Sequence, residues 1–193
     1  MTKLKQIAIA LPVAAIISAL AACSSANDGV AGSEGSGADG SRARLYNSPE
    51  DMASDSSAVI VGTVSGTRTV DDIDATTDFT LSDLRVDKVL KGGFAEGASI
   101  TVRQLGSKEQ APPATLLKPG SEYLLYLTAS GLDGDLAKQY YVTGGNAGLY
   151  AASANSTAST RANLAADDAG FAQVDPEPGE NLPESLTAES ALG

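Results

Sequence analysis

Histidine and tryptophan are absent from the 193 residues, and cysteine occurs once. Without histidine there is no side chain whose ordinary pKa suits a general base near neutrality. A zinc or iron site built from histidine and cysteine is excluded on the same ground. One cysteine leaves no intrachain disulfide to be made. Cations are also scarce: 13 Lys and Arg stand against 24 Asp and Glu, a net charge of −11. Such a chain is repelled by nucleic acid and by anionic headgroups, so a nucleic-acid partner is excluded and membrane residence requires an anchor. Nor is there an apolar run of the roughly 20 residues that a spanning helix needs. The longest, Ile7 to Ala22, has 16 residues and is broken by Pro12 and Ser18.

That run is nevertheless the most informative stretch. It follows Lys3 and Lys5, has the length of a signal-peptide apolar region, and ends in Leu20-Ala21-Ala22-Cys23. The segment resembles the bacterial lipoprotein signal: an aliphatic residue, two small residues and a cysteine. The resemblance implies cleavage between Ala22 and Cys23, lipidation of the Cys23 sulfur, and residence at the extracytoplasmic face of the cell membrane through acyl chains. Two alternatives stay open. Ala19-x-Ala21 can serve as an ordinary signal-peptidase site and release a secreted protein, or the segment can remain as an uncleaved anchor. Residues 1–22 carry two lysines and no acid, so their removal takes the net charge to −13.

Residues 23–47 read as the lipidated cysteine and a flexible linker, because Gly32-Ser33-Glu34-Gly35-Ser36-Gly37 offers nothing apolar to bury. About 23 such residues reach about 25–30 Å on average. Ser48-Pro49-Glu50-Asp51 then predicts a short helix over 49–55, with a capping hydroxyl, a proline at the first helical position and acids at the positive end of the dipole. Met52 and Ala53 are its expected inward residues.

From Ala58 the pattern is β. Ala58–Val64 is apolar on both alternations and predicts a strand buried on both faces, with Gly62 as a bend. A long strand over 76–90 carries Phe79 and Leu81 on one alternation and Leu84 and Val86 on the other, which predicts a bulge at Ser82-Asp83. Strands are expected over 98–104, 122–128 and 140–143, with a short pairing near 148–151. Residues 151–174 are left open, with an edge strand near Gly170–Val174. Pro176, Pro178 and Pro183 among acids predict that 175–193 is a disordered tail.

The fold class expected is mainly all-β: a small five- to six-stranded OB-like barrel over 48–150 with one short N-terminal helix, flanked by disordered segments. Ala58–Gly62, Lys88–Gly92, Ile100–Gln104 and Pro119–Leu127 resemble the strands of small exported bacterial β-barrel domains. Their arrangement is similar to the OB-type barrel of tissue-inhibitor and netrin-like modules. Those modules normally carry disulfides, which this chain lacks, so their inhibitor activity does not carry over directly. OB-type barrels often bind oligonucleotides or sugars, and the charge argues against the former.

Chemistry is sparse. No nucleophile–base pairing or phosphate-binding loop occurs, and no cofactor is implied. Asp71, Asp72, Asp74 and Asp78 match no calcium-loop spacing, so they read as a solvated hairpin connection and no metal site is expected. Tyr123, Tyr126, Tyr140 and Tyr141 are candidate ligand-binding residues if they share a face; otherwise they are core and rim. The function expected is a non-enzymatic, lipid-anchored extracytoplasmic protein whose barrel binds a protein or cell-wall partner. A secreted inhibitor-like module, or a hydrolase using paired carboxylates, are the alternatives.

Overall fold

The computed structural model describes residues 44–153, 170–176, 179 and 181–193. The signal, Cys23, Ala22 and most of the expected linker therefore lie outside the described residues. Among the described residues there are one α-helix, α1 (Pro49–Asp55), three short 3-10 turns, and eight strands: β1 (Ala58–Val70), β2 (Phe79–Lys91), β3 (Ser99–Leu105), β4 (Glu122–Ala129), β5 (Gln139–Val142), β6 (Leu149–Ala152), β7 (Phe171–Gln173) and β8 (Ser185–Leu186).

The helix forms as its cap signals dictate. Ser48 Oγ accepts the Asp51 amide at 3.1 Å, Pro49 opens the first turn, and Met52 and Ala53 are buried. Upstream, Arg44 donates to Asp51 at 2.7 Å and also to Asp55, and Tyr46 is buried. Order thus begins before the expected linker boundary at 47, because a tyrosine and a guanidinium have partners to dock on.

The first five strands close a ring in the order β1–β2–β3–β5–β4–β1, with β3 and β5 parallel and the other pairs antiparallel. This is the expected small barrel. Two strands in one ring, β1 as far as Val64 and β4 as far as Leu127, are buried on both sides, as the unbroken apolar runs predict. Inside the ring lie Ile60, Val64, Leu84, Val86, Ile100, Val102, Leu125 and Leu127. Outside it, Val59, Val61, Leu124 and Tyr126 pack with Met52, Tyr150, Phe171, Leu186 and Ala191. Gly62 sits where a Cβ would meet the Arg85 carbonyl oxygen at 2.9 Å, so the close approach of β1 to β2 requires glycine there.

Three expectations are corrected. First, β2 does not bulge at Ser82-Asp83. Its register with β3 runs unbroken from Phe79↔Leu105 to Arg85↔Ser99. The bulge opposite that point is Ser65 of β1, between Val64↔Leu84 and Gly66↔Asp83. Phe79 and Leu81 keep their alternation and are buried on the outer face, where Arg103 of β3 lies over the Phe79 ring at 4.8 Å. Second, β7 is not an edge: it pairs with both β6 and β8, so 170–174 belongs to the fold. Third, the expected disordered tail contributes β8 and a 3-10 turn over Glu189–Leu192. Leu186, Ala188 and Ala191 are buried, and Tyr126 donates its hydroxyl proton to the Ala191 carbonyl at 2.7 Å. The seven-residue α1 is too short to cover the outer face of β1 and β4, and these few apolar residues complete the cover.

Candidate functional site

The four candidate tyrosines are not brought to a common face. Tyr123 lies inside the ring, and its hydroxyl accepts the Lys118 amide at 3.2 Å. Tyr126 is fully buried in the outer cluster, and that burial, with Tyr150 beside it, pushes its phenol well above the ordinary value. Tyr140 packs edge-to-face on Phe94, with ring centres 5.2 Å apart, and Tyr141 is half-buried. They are core and rim residues, and Tyr123 has a second task described below.

Three of the four acids of the β1–β2 connection have partners, and Asp71 is exposed. Asp72 accepts from Arg103 Nη2 at 2.7 Å, a bond that holds its carboxyl below the usual carboxylate range. Asp74 accepts from the Thr76 amide and hydroxyl, and Asp78 accepts from Ser107 Oγ at 2.7 Å. Among the described residues no group of three or more acidic, cysteine or histidine side chains is placed to hold a metal ion.

The feature that sequence reasoning missed is a groove of about 860 Å³ between the far end of β1 and the β3–β4 connection. This volume falls in the usual range for ligand sites. Thr67, Arg68 and Thr69 of β1 and Thr80 of β2 form one wall; residues 107–119 supply the other. That second wall is held firmly. Ser107 Oγ accepts the amides of Glu109 and Gln110, each at 3.0 Å. Gln104 is buried at the end of β3, takes the Leu117 amide at 2.9 Å and donates to the Thr115 carbonyl at 2.8 Å. Asn146 accepts the Thr115 amide at 2.8 Å, and Tyr123 holds Lys118. Gly106 (φ 91°) is irreplaceable here, since a Cβ would meet Pro112 Cα at 2.5 Å. Two buried amide side chains and a phenol thus fix a connection without regular structure.

The electrostatics of the groove are unusual for so acidic a chain. Arg44, Arg85, Arg103 and Lys138 are each paired with carboxylates. Lys91 donates to the Ala53 carbonyl at 2.6 Å, and Lys88 is also partnered. Among the described residues that leaves Lys108 and Lys118 as the cations with no partner, and both line the groove beside Arg68. Arg68 is half-exposed and pairs with Asp83 at 2.6 Å. Glu109 is the groove's own acid, and its carboxylate accepts from Ser107 Oγ at 3.1 Å. Leu116, Leu117, Pro112 and Pro119 add apolar surface. The arrangement suits a ligand with acidic groups and apolar substituents. The signal for it was faint in the sequence, where Lys108 and Lys118 are two lysines ten residues apart in a polar loop.

Neither a family model nor a curated protein sequence matches this chain.

Proposed function

We propose that the protein is a lipid-anchored, extracytoplasmic binding module, held to the cell membrane through acyl chains on Cys23, whose barrel presents the 67–69/107–119 groove to a protein or cell-envelope partner. The anchor rests on the export-signal pattern and on the net charge, which leaves no electrostatic route to anionic headgroups. Two or more acyl chains suffice for a stable anchor, whereas one binds marginally. The observation that carries the binding role is the groove itself, where the two unpartnered lysines converge on one fixed cavity. No catalytic role is assigned to any residue.

Two measurements test this. Detergent phase partition and intact mass should place the wild-type protein in the detergent phase with acyl mass on Cys23, and Cys23→Ala should move it to the medium. A Cys23→Ala protein that still pellets with membranes, or a mature mass without acyl groups, refutes the anchor. For the groove, a photo-crosslinking residue at Thr69 should give discrete adducts in cells that vanish in the Lys108→Glu/Lys118→Glu protein. Adducts unchanged by the double substitution refute the groove as the site.

A further inference from the structure

The groove wall contributed by β1 is an open strand edge. β4 pairs with β1 only from Ala58↔Leu127 to Thr63↔Glu122. The last bonds on that side run from the Val64 amide to the Ser121 carbonyl at 3.0 Å and from the Gly120 amide to the Val64 carbonyl at 2.8 Å. Pro119-Gly120 then turns the chain away. Beyond Ser65, β1 continues to Val70 paired with β2 alone. Among the described residues nothing pairs with its other edge over Gly66–Val70. An unpaired edge presents a row of amides and carbonyls ready to bond another strand. Here that row forms the side of a fixed cavity, facing a wall with free cations.

We propose that the groove takes an extended, acidic polypeptide segment of a partner protein by strand addition to the Gly66–Val70 edge of β1, with Lys108 and Lys118 receiving its carboxylates. The proposal rests on the groove being the binding site and names its ligand. Main-chain bonds to the edge would supply affinity, and alternate side chains would supply specificity. Five or six residues, about 17–20 Å of strand, match the open length. In such a segment every second side chain faces the opposite way, so one alternating set of carboxylates can be directed at the wall that holds Lys108 and Lys118. A sugar polymer is disfavoured because, among the described residues, no aromatic ring lines the groove to stack a pyranose face. A second copy of this chain is disfavoured because a shared edge brings Arg68 close to Arg68 and two highly acidic bodies together.

The test uses the detergent-solubilised mature protein at 0.15 M salt, where the net charge is screened beyond about 8 Å. Three probes are compared by fluorescence anisotropy and competition: a labelled (Glu-Val)4 peptide, the same peptide with prolines at two central positions, and polygalacturonate. The alternating peptide should bind, the proline peptide at least tenfold more weakly because it lacks amides for the ladder, and polygalacturonate should not displace it at equal carboxylate concentration. Lys108→Glu/Lys118→Glu, both exposed positions, should weaken the peptide about tenfold, and Lys138→Glu, away from the groove, should not. Equal binding of the two peptides overturns strand addition. Binding of polygalacturonate alone overturns the peptide ligand and leaves the groove as a site. No binding by any of the three overturns both. Concentration-dependent dimerisation abolished by the double substitution assigns the edge to a second copy and also overturns the proposal.

Discussion

Arg103 offers the sharpest test of the packing. Its side chain is fully buried on the outer face of β3, with Nε donating to Gln139 Oε1 and Nη2 to Asp72 Oδ2, both at 2.7 Å. Among the described residues its Nη1 has no partner, and the guanidinium lies over Phe79. Two opposed contributions meet here. The stem and plane cover Phe79, which is worth a core side chain; the charge is desolvated and incompletely satisfied. Arg103→Met keeps the cover and removes the charge, and its stability should stay within about 1 kcal/mol of wild type. Arg103→Ala loses the cover and should cost about 2–4 kcal/mol. Asp72→Asn strands the guanidinium. Complete loss of a buried partner costs about 3–5 kcal/mol, but Asp72 is one-third exposed and water replaces part of it, so about 1–3 kcal/mol is expected. Urea unfolding followed by tyrosine fluorescence measures all three. At about 1–2 kcal/mol per molar, 2 kcal/mol moves the midpoint by about 1–2 M. Asp72 also gives a pH signature. Its carboxyl is held low by the Arg103 hydrogen bond, so its contribution is present above the unfolded value of about 3.9 and is lost as pH falls through the lower folded value. Asp72→Asn should flatten that part of the acid limb. An Arg103→Met protein as unstable as Arg103→Ala would refute the reasoning, since the charge and not the cover would then be what β3 needs.

Two further outcomes follow from the outer cluster. Ending the chain after Glu184 removes the buried Leu186 and Ala191 and the hydrogen bond to Tyr126; stability should fall by about 2–4 kcal/mol, and an unchanged urea midpoint would show that the C-terminal cover is idle. Burial pushes the Tyr126 phenol up, so its contribution is intact below about pH 10 and lost as pH rises beyond it. Stability should then decline by about 1.4 kcal/mol per pH unit above 10. Tyr126→Phe, costing about 1 kcal/mol at neutral pH, should remove that slope in urea titrations between pH 9 and 11.5.

Much of the barrel was legible because its strands follow simple rules. Ala58–Val64 and Tyr123–Leu127 are apolar on both alternations, and both strands are covered on both faces. Ser48-Pro49 capped its helix as written. What misled was burial with unequal causes. Phe79 and Leu81 looked like a change of phase because an apolar residue on the second face was not expected; both are buried on the face where Arg103 lies over Phe79, and nothing local signals an arginine used as cover. The tail misled for a related reason. Leu186, Ala188 and Ala191 are too few to fold by themselves among prolines and acids, and they order only because α1 leaves part of a prebuilt apolar face uncovered. The separation of two of the tyrosines was legible: Tyr123 and Tyr126 are an odd number of positions apart on one expected strand and must point to opposite faces, a parity that the expectation of a shared face overlooked.

The groove was illegible because it arises from topology. β1 has 13 residues, and β4 can follow it only to Thr63 before Pro119-Gly120 turns away. The ring closes with the first half of β1, and the second half, swung by the bulge at Ser65, is left with one partner. A strand long enough to close a barrel and overshoot it creates an open edge at the barrel rim. The connection from β3 to β4 must cross that rim, and Gln104, Asn146 and Tyr123 pin it about a groove's width from the edge. Closure of the barrel and the open edge therefore have one cause. Lengthening β4 at its start by a residue or two that pair with Gly66 should close the groove while strengthening the ring.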